Sequence, residues 1–159
     1  MKKKIFWTIG GLLIVLQLVR PTRNEGTAYS TNDITHAVNV PAEVKQILET
    51  SCFDCHSNHT NYPWYTNIQP IGLWMQNHVN EGKEELNFSD FATYSQKRKM
   101  KKLKELAEEV KEHEMPLESY LWIHKEAALS ETQIQTIANW LKSGGIAPDA
   151  TEGETEEDD

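Results

Sequence analysis

Only two cysteines occur in the 159 residues, and they stand three apart with a histidine directly after them: Cys52-Phe53-Asp54-Cys55-His56. Cys-x-x-Cys-His is the spacing of c-type haem attachment. The two thiols must reach the two vinyl groups along one side of a porphyrin. The next residue then turns its imidazole toward the iron, and His56 supplies the proximal nitrogen. Three other chemistries compete for these residues. A disulfide suits an exported chain, but it leaves His56 without a role and closes too small a loop to stabilise a domain much. A thioredoxin-like redox pair needs a βαβ setting, and no segment has a period-two pattern. A zinc site from Cys52, Cys55, His56 and His59 crowds four ligands into eight residues.

The two ends differ from the rest of the chain. Met-Lys-Lys-Lys precedes an uncharged run from Ile5 to Val19, the pattern of an export signal. No small-residue cleavage site follows at Leu18–Arg23, so the run is expected to stay as an anchor over residues 1–23, with removal as a signal peptide the alternative. It is short for a span, which needs about 20 apolar residues, although Lys4 and Arg20 can snorkel. The excess of lysine before the run places the domain on the outer, periplasmic face of the cytoplasmic membrane. Seven carboxylates and no base lie between Asp149 and Asp159, so residues 148–159 are expected to form a disordered acidic tail. The net charge of −8 argues against a nucleic-acid partner.

Between these ends, residues 24–40 are polar and aperiodic and are expected to be a linker. The haem-bearing domain is expected over 41–147. Pro41 opens a helix carrying Val44, Ile47 and Leu48 on one face and running into the cysteine motif. Asn87 or Ser89 caps a stretch containing Phe91 and Tyr94. A long helix over about 97–113 has Met100, Leu103, Leu106, Ala107 and Val110 as its apolar stripe and stops at Pro116. The closing helix has a Ser130–Gln133 capping box and a Gly144-Gly145 stop. The fold class is all-α.

A six-coordinate haem needs a ligand on its other face. Met75 and Met100 fall in apolar segments and suit a core. His36 lies in the linker, and His59 is too near the motif to reach round. Met115 stands before Pro116, which biases it toward extended backbone and frees its thioether to be aimed at iron. His78 is a further candidate among the histidines, and His113 and His124 are the rival ligands. Trp64 and Tyr65 follow the motif closely and are candidate haem contacts, set against the ordinary core role of large aromatics. Six of the eight residues Lys97–Lys104 are basic. They suit docking of an acidic redox partner, or else a solvated helix face paired internally through Lys101–Glu105 and Lys104–Glu108.

Taken in order, Cys52–His56, Pro63-Trp64-Tyr65, Leu86-Asn87-Phe88-Ser89, Met115-Pro116, Tyr120, His124 and Leu129-Ser130 resemble the haem-binding domain family of small exported cytochromes, over roughly residues 41–145. Leu117 departs from the resemblance, standing where a second proline is expected. The resemblance implies a cytochrome c-like helical domain with one covalent haem c at Cys52 and Cys55, His56 on the proximal side and Met115 on the distal side. The expected role is electron transfer to or from a partner protein, not enzymatic catalysis. The alternative is a ligand sensor or peroxidase-like enzyme with a displaceable sixth ligand.

Overall fold

Proline and polar caps divide the chain into short helices, and in a computed structural model these wrap one hydrophobic core. The structure describes residues 1–143. The helices are α1 (Lys2–Leu16), α2 (Ile34–Ala37), α3 (Ala42–Ser51), α4 (Phe53–His56), α5 (Ile71–Glu85), α6 (Gln96–Lys111), α7 (Glu118–Leu121) and α8 (Glu131–Lys142). Tighter 3-10 turns span Trp64–Asn67, Phe88–Thr93 and Lys125–Ala127. Among the described residues no strand forms, beyond an isolated bridge between Glu25 and His59, so the fold is all-α as expected.

The core is built where the apolar periodicities of α3, α6 and α8 meet. Val44, Ile47 and Leu48 of α3 pack with Leu103, Leu106 and Val110 of α6 and Ile134, Ile137 and Trp140 of α8. Phe53 stacks on Phe88 with ring centroids 5.3 Å apart, which ties the cysteine motif to the same core. The Ser130–Gln133 capping box is present at the start of α8. Ser95 caps α6, and Asn87 caps the 3-10 turn through Ser89. Lys101 and Lys104 make the expected one-turn pairs with Glu105 and Glu108, at 3.5 and 3.6 Å.

Several expectations need correction. Residues 24–40 do not form a free linker. Ile34 and Val38 join the core, Asp33 caps α2, and buried Asn24 donates to the Ser57 carbonyl and the Thr60 hydroxyl. Period-based reading missed this because two apolar residues on a single helical turn make no stripe. The apolar segment at Ile71–Val79 is the first half of a 15-residue helix whose second half is polar. Met100 is 48% exposed, since the long helix ends its buried stripe at Leu103.

α1 is a 15-residue helix with none of its side chains buried. At 1.5 Å per residue it is about 22 Å long, against about 30 Å of hydrocarbon. Among the described residues no helix is long and apolar enough to cross a membrane. Its far end is fixed to the domain. Gln17 exchanges two hydrogen bonds with the backbone of Gln69, and Arg20 and Arg23 donate to Asn67. The Gly144-Gly145 stop and the acidic tail lie outside the described residues.

Candidate functional site

The cysteine motif is held between two helices. Cys52 leaves helical geometry (φ −127°), which ends α3, and the chain then makes a single further turn as α4. The turn keeps its register because the Cys55 and His56 amides both donate to the Cys52 carbonyl, at 3.2 and 3.0 Å. α5 presses on the motif at Gly82. A Cβ there would sit 2.9 Å from the Cys55 carbonyl oxygen, so only glycine allows this approach. Asp54 closes the surrounding loops and also borders the space beside Cys55. It accepts from the Asn61 backbone and side chain and from the Tyr120 hydroxyl, the last at 2.8 Å.

α5 also delivers the group that orients His56. The chain leaving it turns the Leu86 carbonyl onto His56 Nδ1 at 3.0 Å. A carbonyl only accepts, so Nδ1 carries the proton and Nε2 keeps its lone pair. Burial, the largest influence, holds the imidazole below the ordinary histidine range, which maintains the neutral form. A neutral histidine with one nitrogen fixed by a backbone carbonyl is prepared as a metal ligand.

Burial also dominates the two thiols. It pushes Cys52 up to about 12, with a further contribution from Cys55. Cys55 is pushed up to about 11, Asp54 adding to the effect of burial. Redox-active Cys-x-x-Cys pairs have lowered thiol pKa values, so these cysteines lack the environment of a dithiol oxidant.

A cavity of about 380 Å³ opens beside Cys52, lined by Leu86, Phe88, Leu106 and Val110. A second of about 280 Å³ opens beside Cys55, lined by His78, Gly82, Leu117 and Tyr120. Ser51, His56, Glu85, Met115 and Pro116 line both, so the two are lobes of one crevice with His56 and Met115 at the junction. At the mouth of the first lobe Lys102 bridges Glu85 and Glu105, at 2.9 and 2.8 Å.

Met115 reaches the junction through the way α6 ends. His113 takes a left-handed conformation (φ 61°) just past the helix. The Glu114 amide then bonds back to the Glu109 carbonyl and the His113 amide to Val110, the paired bonds of a Schellman motif. This reversal turns residues 114–117 back across the crevice. The sequence had pointed to Pro116 alone, whereas the change of direction begins at His113.

The other candidates lie elsewhere. His113 is exposed and faces Glu131. His124 has Nε2 on the Tyr65 hydroxyl and Nδ1 near Glu126, and it stacks on Tyr120 outside the crevice. Trp64 is 76% exposed, and neither it nor Tyr65 lines either lobe, so the expected haem contacts are not brought to the site. Gly82 was missed, and His78, one of the histidines considered as a distal ligand, lines the second lobe. The signal available was their one-turn spacing with Trp74 along α5.

A family model described as a haem-binding domain matches residues 11–143, and no curated protein or solved structure gives a match. The matched region takes in every wall of the crevice and most of the chain. This protein belongs to the haem-binding domain family.

Proposed function

We propose that this haem-binding protein is a c-type cytochrome that carries electrons, with one haem joined to Cys52 and Cys55 and ligated by His56 and Met115. The observation that carries the reading is the junction of the two lobes. There a neutral imidazole with Nδ1 committed to Leu86 shares the crevice with a thioether and with both thiols. The residues fit the group. Each thiol lines a different lobe, the walls are mostly apolar, and His56 offers a neutral nitrogen donor where Met115 offers a thioether.

Bound haem supplies a one-electron iron couple, and Met/His ligation raises its potential. The chain's residues do the rest. Leu86 holds the His56 tautomer, Phe53 and Phe88 fix the motif against the core, and the Schellman turn presents Met115. Leu106 and Val110 exclude water from the first lobe. Were His56 and Met115 both to hold the iron, no open site would be left for a substrate, which favours carriage over catalysis.

We also infer that α1 embeds the protein in the cytoplasmic membrane with the domain on its outer face. Every apolar side chain of α1 is unburied by the domain, and the helix has no polar stripe. Local thinning of the bilayer compensates for its shortness. The bonds of Gln17, Arg20 and Arg23 hold the domain close to that surface.

The test is the full chain matured by a c-type haem assembly system. Its colour should survive acid–acetone extraction, its ferric form should be low-spin with a weak near-infrared sulfur–iron band, and it should sediment with membranes through carbonate. Met115→Ala should abolish that band, lower the potential and admit carbon monoxide. Colour that washes out refutes covalent attachment. Rapid carbon monoxide binding by the unaltered protein would favour the sensor or peroxidase-like alternative.

A further inference from the structure

Arg20 and Arg23 follow the apolar run, and the domain engages only a small part of each head group. Arg20 donates to the Asn67 carbonyl at 2.8 Å, and Arg23 donates to the Asn67 side-chain oxygen at 2.6 Å. A guanidinium carries five N–H donors, so most of both remain to be used. Arg23 also lies over the Tyr62 ring, 4.8 Å from its centroid, which fixes its position. Two cations gathered on one uncharged residue repel each other, and an anion shared between them removes that cost.

The two arginines border a pocket of about 250 Å³. Buried Thr66, Gln69, Gly72 and Gln76 line it from the domain side. Among the described residues no carboxylate lines it, so its charge is positive. Paired guanidinium forks in a pocket without carboxylates suit the oxygens of a phosphate.

Position decides which phosphate. Gln69 lines the pocket and also exchanges two hydrogen bonds with Gln17, the residue that ends α1. With α1 embedded, the pocket therefore stands where the lipid headgroups begin. The adjoining chain suits the same level. Trp64 is 76% exposed, and Ile68 and Ile71, on either side of Gln69, are 44% and 41% exposed. Exposed tryptophan is typical of a membrane–water boundary. No carboxylate waits in the pocket for a headgroup ammonium, so a glycerol headgroup fits better than choline or ethanolamine. We infer that this pocket binds the phosphate of an anionic phospholipid. The inference rests on the membrane reading above and is independent of haem.

The experiment places the full chain in bilayer discs of mixed phosphatidylglycerol and phosphatidylcholine, releases it into mild detergent and counts retained lipid by native mass spectrometry. The unaltered chain should keep one phosphatidylglycerol in preference to phosphatidylcholine. Arg20→Gln combined with Arg23→Gln should lower that occupancy roughly tenfold or more, with the circular dichroism unchanged, because charge-assisted hydrogen bonds are lost. Arg20→Lys with Arg23→Lys keeps the charge without the fork and should recover only part of it. Undiminished retention by the glutamine variant overturns the inference. Full recovery by the lysine variant does so too, since general surface charge would then account for the lipid.

Inorganic phosphate is the second arm. Saturable phosphate shifts of the Arg20 and Arg23 side-chain nitrogens, in a chain that retains no lipid, would assign the pocket to free phosphate and overturn the lipid source. If the glutamine variant does not accumulate, nitrogen-15 NMR of the unaltered chain decides. Side-chain protons of both arginines that exchange slowly only with phosphatidylglycerol present support the inference, and protons indifferent to it overturn the inference. An unaltered chain that fails to sediment with vesicles refutes the membrane reading. A chain that inserts, with lipid retention insensitive to both arginines, refutes this inference alone.

Discussion

Gly82→Ala sets helix propensity against packing at the site. Alanine in mid-helix is favoured over glycine by roughly 1 kcal/mol, so in an open position this change stabilises a protein. Here the new Cβ would stand 2.9 Å from the Cys55 carbonyl oxygen and 3.2 Å from the Cys55 Cβ. Neither contact is with the end of a flexible side chain, so α4 and α5 must move apart by a few tenths of an ångström. Overpacking of that kind costs about 1–3 kcal/mol. The difference is a net loss of about 0–2 kcal/mol. The displacement falls on Cys55 and, through Leu86, on His56. Gly72→Ala is the comparison. Its Cβ would collide with the Thr66 carbonyl oxygen, outside both lobes, so it should cost more stability with less effect on attachment. Urea unfolding of the holoproteins measures the first quantity. Intact and peptide mass spectrometry measure the second, as the fraction of chains with thioethers at both cysteines. Gly82→Ala should lower the unfolding midpoint and the share modified at Cys55. A midpoint raised by the full helix gain, with both thioethers at their usual yield, would falsify the close packing of α5 on the motif.

Two more predictions come from local features. In haem-free protein at pH 8 the thiols should alkylate slowly, because raised pKa values keep them protonated and only the thiolate reacts; against an ordinary pKa of 9.0 the retardation is roughly 100-fold for Cys55 and roughly 1000-fold for Cys52. Reaction at the rate of an unfolded peptide would show that the motif is not buried without haem. At the end of α6, His113→Gly should be neutral or stabilising by up to about 1 kcal/mol, while His113→Val should destabilise by at least about 1 kcal/mol, since a β-branched residue resists φ of 61°; equal thermal midpoints for the two would refute the Schellman turn.

What could be read from the sequence was whatever rests on local chemistry. The Cys52–His56 spacing, the capping box of α8 and the stripes of α3 and α8 each lie within a few residues, and each is present. Contacts between distant segments were illegible. Nothing local marks the Leu86 carbonyl as the partner of His56, thirty residues earlier. Ile34 gives no sign that it docks beside the 3-10 turn containing Phe91. Trp64 and Tyr65 were placed near haem because they follow the motif in sequence, but Pro63 and the 3-10 turn carry Trp64 into solvent and Tyr65 onto His124. His78 could be considered as a ligand from sequence, but its unpaired nitrogen could not be read there, because pairing is a property of the surroundings.

The walls of the crevice come from separate parts of the chain, and what joins them bears on how haem and fold depend on each other. α3, α4 and α5 supply the side holding His56. α6 and the Met115 segment supply the other. The visible link at the mouth is Lys102 between Glu85 and Glu105, but Glu85 is 77% exposed, and such a pair contributes at most about 1 kcal/mol. A stronger link runs through Leu106 and Val110, which belong to the core and also line the Cys52 lobe. Those two residues share one apolar cluster with side chains of α3 and α8, and a group filling the crevice would pack them from the other side. Occupancy therefore stabilises α6 against α3 by burial. Any ligand that binds the folded chain and not the unfolded one shifts the folding equilibrium in the same direction. The covalent attachment proposed above would make that shift permanent, because a haem that cannot dissociate would keep the second face of Leu106 and Val110 out of water. An interior assembled this way needs no long helices to hold it, which is consistent with α4 and α7 being single turns at the rim of the crevice.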